Sequence, residues 1–168
     1  ADVPGELRGK DLEGLHGAFH VGARGAGLGR ELVRRALAES EIPARVFNPT
    51  HVNRRRGLFD EAIELARAGC TVDITAFPVD EGEDAYGAAE ALQRYLASGA
   101  PPGRVTISSD AGGCLPCFDA DGRVCSTDVG SAGALLASMR ELLGTGMALE
   151  TVLPAFTSNP ARLLRLSD

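Results

Sequence analysis

Residues 58–76 read LFDEAIELARAGCTVDITA: an amphipathic run, a glycine at position 69, then a short apolar stretch rich in β-branched residues. The change from a helical to an extended period inside one short span marks a helix followed by a strand. The same alternation recurs along the chain. Candidate strands are 16–21 (HGAFHV), 45–49 (RVFNP), 71–76 (TVDITA) and 104–109 (RVTISS), and helical stretches at about 27–39, 58–68 and 84–98 lie between them. Strands and helices in strict alternation imply an α/β fold of parallel βα units. Further helical stretches follow at 131–144, 148–153 and 158–165, the last opening on Ser158-Asn159-Pro160, a cap and a first-turn proline. Gly69 and Gly99 stand where helices should stop.

With 168 residues, 44% apolar and 24% charged, the chain has material for one globular core. Asp and Glu number 23 against 17 Lys and Arg, so the basic face that nucleic acid demands is missing, while an anionic small molecule stays compatible. No apolar run approaches the roughly 18 residues of a membrane span, and ADVPGELRGK at the start has no apolar signal core. The expectation is a cytoplasmic protein without a membrane partner. Cys70, Cys114, Cys117 and Cys125 are then expected as free thiols. Cys114-Leu-Pro-Cys117 has C-x-x-C spacing, which leaves a redox or zinc role open, but a structural zinc site needs a second pair that Cys125 alone does not supply.

The candidate strands end near His20, His51, Phe77 and Asp110, 26 to 33 residues apart, one βα unit per interval. In parallel α/β sheets functional side chains gather at these carboxyl ends. Two imidazoles and a carboxylate from different strand tips can converge on a cation such as zinc. Each residue also has a plainer reading: a buried, satisfied histidine for His20 and His51, a cap for Asp110. Asp110 carries the stronger signal, because a carboxylate at the tip of a buried strand is costly unless paired, protonated or bound to a cation. The long connection 110–130 reads either as one wall of a site or as a surface excursion. A rival lies in VGARGAGLGRE (21–31), a glycine-rich turn between strand and helix, as in nucleotide-binding folds. It matches neither G-x-G-x-x-G, since position 30 is Arg, nor the phosphate-binding G-x-x-x-x-G-K-[ST]. Arg54, Arg55 and Arg56 pose a separate puzzle, because the positive end of a helix dipole disfavours cations. Arg55 and Arg56, with Asp60 and Glu61 in the next turn, read as a solvated, locally compensated pair.

Several segments together resemble a known family. AFHVG (18–22), PTHVNR (49–54), TISSDAGG (106–113) and TSNPARLLRL (157–166), with AIELARAGCTVDIT (62–75) and FDADG (118–122), resemble the second half of isoaspartyl dipeptidase, a metal-dependent hydrolase of the amidohydrolase superfamily. The resemblance implies a (β/α)₈ barrel with His20, His51 and Asp110 at the ends of strands five, six and eight. It implies zinc as cofactor, bound in a binuclear centre by His20, His51 and Asp110, and a β-aspartyl dipeptide as substrate. A metal-bridging hydroxide would attack the side-chain amide, with Asp110 as general base and acid and Arg54 gripping a substrate carboxylate. Cys114 stands where the family has a substrate-contacting serine. The family's first-strand His-x-His pair is missing, and Lys10, the only lysine, lies too near His20 to be the carboxylated lysine of strand four.

Four βα units make strands 5–8, half of such a barrel. The chain is therefore expected to be the C-terminal part of a longer protein, or to associate with another copy or half, covering an apolar inner face. By itself it should hold only the His-His-Asp part of the metal site and be inactive. The alternatives are another zinc amidohydrolase acting on a different amide, a nucleotide-binding α/β module, and a structural or interaction fragment.

Overall fold

The computed structural model describes residues 26–118 and 123–166. The expected strand at 16–21, with His20, lies outside them. The described elements are α1 (Ala26–Glu39), α2 (Arg56–Arg67), β1 (Val72–Thr75), α3 (Ala88–Ala97), β2 (Val105–Ser108), β3 (Cys114–Phe118), β4 (Val124–Val129), α4 (Gly133–Gly144), α5 (Leu149–Phe156) and α6 (Ser158–Leu163). β1 and β2 pair in parallel, Val72 opposite Val105 through Thr75 opposite Ser108, and the Ala76 N–H donates to Ser108 O at 2.8 Å just beyond. A mixed α/β fold with parallel strands is thus present as expected.

The strand expected at 45–49 is corrected. Residues 44–46 form a 3₁₀ turn, and only 47–49 runs extended beside β1, where Thr71 N–H donates to Phe47 O (3.1 Å) and Asp73 N–H to Pro49 O (2.8 Å). In a parallel ladder the flanked strand would return a bond from position 49 to β1. Proline has no N–H, so that rung is absent and the segment stays a one-sided partner.

The two faces of the parallel pair differ sharply. Val72, Ile74, Val105 and Ile107 enter the main core with Phe59, Ala62, Ile63 and Ala66 of α2, Leu92 and Tyr95 of α3, Leu142 of α4, and Val152 and Ala155 of α5. The stripe 59, 62, 63, 66 is the i, i+3, i+4, i+7 spacing that turns one face of a helix inward. The opposite face holds Asp73, Thr75, Thr106 and Ser108, so the expectation of an apolar inner face is corrected: side chains alternate along a strand, and here the alternate positions are polar. Thr106 Oγ1 donates to Asp73 Oδ1 at 2.7 Å and Ser108 Oγ to Oδ2 at 2.6 Å. Burial nonetheless pushes the Asp73 carboxyl up to about 6, against the pull of the Ser108 and Thr106 hydroxyls and with a smaller push from the negative Asp110.

Gly69 (φ 102°) and Gly99 (φ 73°) follow α2 and α3 in the left-handed region, as read from the sequence. The cap expected at Ser158-Asn159 is corrected: no side-chain cap bond forms, and the Asn159 amide instead donates to Pro102 O (2.9 Å) and Val105 O (2.8 Å), latching α6 to the entry of β2. Within 110–130, expected as a long irregular connection, β3 and β4 pair antiparallel, Cys114 opposite Val129 through Phe118 opposite Val124, with a register shift at Cys117/Phe118. Every β4 residue is exposed. Among the described residues no helix is long and apolar enough to cross a membrane.

Candidate metal and substrate site

His51 ends the segment beside β1, and Asp110 lies just past β2. Both adopt left-handed backbones, φ 57° and 47°. Neither is glycine, and such residues cost about 1–3 kcal/mol unless their surroundings hold them, a strain that concentrates at functional sites. At His51 the carbonyl accepts the Arg54 N–H at 3.2 Å, closing the 3₁₀ turn Val52–Arg54. At Asp110 the holding is steric as well. Gly113 N–H donates to Asp110 O at 2.8 Å, Gly112 N–H to Gly130 O and Gly130 N–H to Gly113 O, both at 2.9 Å. A Cβ on Gly113 would lie 2.5 Å from Asp110 Oδ1, and one on Gly130 would lie 2.0 Å from Asp110 O. Both positions must be glycine for the base of the hairpin to press against the aspartate.

The two side chains meet. His51 Nε2 lies 3.7 Å from Asp110 Oδ2, with the imidazole 13% and the carboxylate 32% exposed, a half-open pair at the sheet's carboxyl end. His51 Nδ1 is 2.6 Å from Thr75 Oγ1. This leaves Nε2 and a carboxylate oxygen as neighbouring donors, spaced as two ligands of one ion with bonds near ~2.1 Å would be. An imidazole nitrogen and a carboxylate oxygen are donor types that a zinc-type cation accepts. Among the described residues no group of three or more His, Cys, Asp or Glu converges to hold a metal, and His20 lies outside them.

Arg54 sits one 3₁₀ turn beyond His51, its guanidinium 5.2 Å from the centre of the Phe77 ring, at the strand end that follows β1. Stacking of this kind keeps the planar fork oriented without consuming its in-plane donors. Arg56, read as solvated and compensated by Asp60 and Glu61, is over the Tyr86 ring at 5.2 Å, and Arg94 is over the same ring at 4.5 Å. Arg54 and Arg56 thus each lie over an aromatic face. Cys114 opens β3 with an exposed, free thiol; Cys125 is exposed, and Cys70 is free and buried, its thiol pushed up to about 11 by burial. The glycine-rich alternative falls mostly outside the described residues, with Gly27 and Gly29 inside α1.

The residues that strand-end reasoning did not single out are Asn53, Thr75, Asp73 and Gly130. Asp73 carried a usable signal, because the argument that a buried strand carboxylate needs partners applies to TVDITA as well as to Asp110. For Gly130, only the folded contact with Asp110 distinguishes it from any other turn glycine.

No family model matches the sequence. The β-aspartyl dipeptidase of Fervidobacterium islandicum AW-1, solved in complex with a β-Asp-Leu dipeptide, is similar at 38% identity over 85% of this chain, with a TM-score of 0.72. Another crystal structure of β-aspartyl dipeptidase from that organism is similar at 34% identity over 79% of the chain, with a TM-score of 0.63. The chain spans only about a third of the length of either, 36% and 32%. The resemblance to isoaspartyl dipeptidase carried by PTHVNR and TISSDAGG is therefore shown, over most of this chain, against solved structures of β-aspartyl dipeptidase.

Proposed function

We propose that this chain carries part of the hydrolytic centre of a zinc-dependent β-aspartyl dipeptidase, the second half of a (β/α)₈ barrel of the amidohydrolase type. The observation that carries the reading is the approach of His51 Nε2 to Asp110 Oδ2 on two left-handed strand ends. The solved relative bound to β-Asp-Leu supports the substrate class.

In this reading His20, His51 and Asp110 hold zinc. Zinc would supply a water of lowered pKa and a polarised amide carbonyl. Asp110, half-exposed at the site mouth, accepts the proton from the attacking water and returns it to the departing amine. Arg54, kept in plane by Phe77, binds the substrate carboxylate through two parallel hydrogen bonds. Cys114 borders the substrate four residues past the aspartate. The His-x-His pair and bridging lysine must come from outside this sequence, so full activity requires association with another copy or with the remainder of the barrel, in the cytoplasm.

Zinc content and β-aspartyl-leucine hydrolysis of the purified 168-residue chain test this. Zinc is expected without full turnover; full turnover by a monomer contradicts the partial centre. Wherever turnover is restored, Arg54→Ala should raise KM for β-aspartyl-leucine by about 10–100-fold, the loss expected for a charged hydrogen-bonding group. An unchanged KM favours a different amide substrate.

A further inference from the structure

We propose that Asn53 and Thr75 form a positioning pair that aims the His51 imidazole, a role that rests on the reading of His51 as a metal ligand. Asn53 is fully buried although it lies in a three-residue turn between two site residues. Its amide nitrogen donates to Thr75 O at 3.0 Å and Tyr86 O at 2.7 Å, and its Oδ1 accepts the Thr75 N–H at 2.9 Å. The Asn53 carbonyl also accepts the Tyr86 N–H at 2.9 Å. Every donor and acceptor of the side-chain amide is thereby engaged. Asn53 grips both backbone groups of Thr75 as a neighbouring strand would, beyond the last bond between β1 and residues 47–49.

The consequence falls on the imidazole. Thr75 is held by Asn53 on one side and by its pairing with Ser108 of β2 on the other, and it has no exposed surface. A β-branched side chain so confined keeps one rotamer, and its hydroxyl reaches His51 Nδ1 at 2.6 Å. With Nδ1 engaged, the ring can turn only Nε2 toward Asp110. When a cation occupies Nε2, Nδ1 carries the ring proton and Thr75 Oγ1 accepts it, the outer-shell partner that a ligating histidine needs.

Thr75→Val keeps the shape and removes the hydroxyl, and Thr75→Ser keeps the hydroxyl. Two readouts apply to the whole chain: the His51 ring nitrogen resonances by NMR without metal, and zinc affinity by competition with a chromophoric chelator. Thr75→Val should displace the Nδ1 resonance and weaken zinc by about 10–100-fold, with the urea midpoint confirming a folded protein. Thr75→Ser should restore both. Asn53→Ala should displace the same resonance if it folds; if it does not, the Thr75 pair decides. A wild-type His51 spectrum in Thr75→Val overturns the positioning role. Zinc binding indifferent to His51→Ala overturns the ligand reading instead, so the two failures are distinguishable.

Discussion

The eight residues of β1 and β2 divide four to each face, and the two faces do different work. Val72, Ile74, Val105 and Ile107 are interchangeable units of a packed core, each defined by volume and contact. Asp73, Thr75, Thr106 and Ser108 are defined by which hydroxyl meets which acceptor. The first face anchors the packed core, and on the second Thr75 reaches the His51 ring. Substitutions should separate along the same line.

The largest stability effect is expected on the core face. Ile74→Ala should lower the unfolding free energy by about 2–5 kcal/mol, read by urea denaturation, while the folded fraction keeps wild-type zinc affinity. A collapsed affinity in the folded fraction would mean that the faces are not separable. On the polar face, Asp73→Asn tests a pH effect. Because burial lifts the Asp73 carboxyl to about 6, above an unfolded value of about 3.9, the native state holds this proton more tightly. Its stabilisation is complete below about pH 4 and is lost as pH rises through about 6, on the order of 3 kcal/mol at most. Asn at this position should flatten that part of the difference in urea stability between pH 4 and pH 7; an unchanged slope would assign the titration elsewhere.

Smaller effects should follow away from both faces. Gly112 has φ 82° with open space around a Cβ, so Gly112→Ala should cost about 1–2 kcal/mol of backbone strain alone. Gly130→Ala is the instructive contrast, its carbonyl accepting the Gly112 N–H across the base of the hairpin. Its Cβ would overlap Asp110 O, so zinc affinity of the chain should fall in protein whose urea midpoint shows that it remains folded. Val129, 64% exposed on β4, should tolerate Thr within about 0.5 kcal/mol.

The sequence shows the helices and the two core strands because their periods differ and glycines end them, as at Gly69 and Gly99. It also picks out His51 and Asp110 as strand-end residues, and the structure brings their side chains together. The strand at 45–49 was only half legible: its apolar pattern is real, but Pro49 removes the rung that completes the ladder. The hairpin of β3 and β4 was hidden, because β4 is exposed on both faces and a register shift breaks any alternation. Asn53, Thr75 and Asp73 were hidden for a different reason. Their significance lies in partners 22 to 35 residues away, and those pairings exist only once residues 52–54 lie beside β1 and β1 beside β2.

The role proposed for His51 and Asp110 is to bind one cation together. Equilibrium zinc titration of the chain, compared with His51→Ala and Asp110→Ala, tests it most directly. The account predicts a site that either substitution weakens by at least about 100-fold, in proteins whose urea midpoints show that they remain folded. Wild-type zinc affinity in both variants would contradict it.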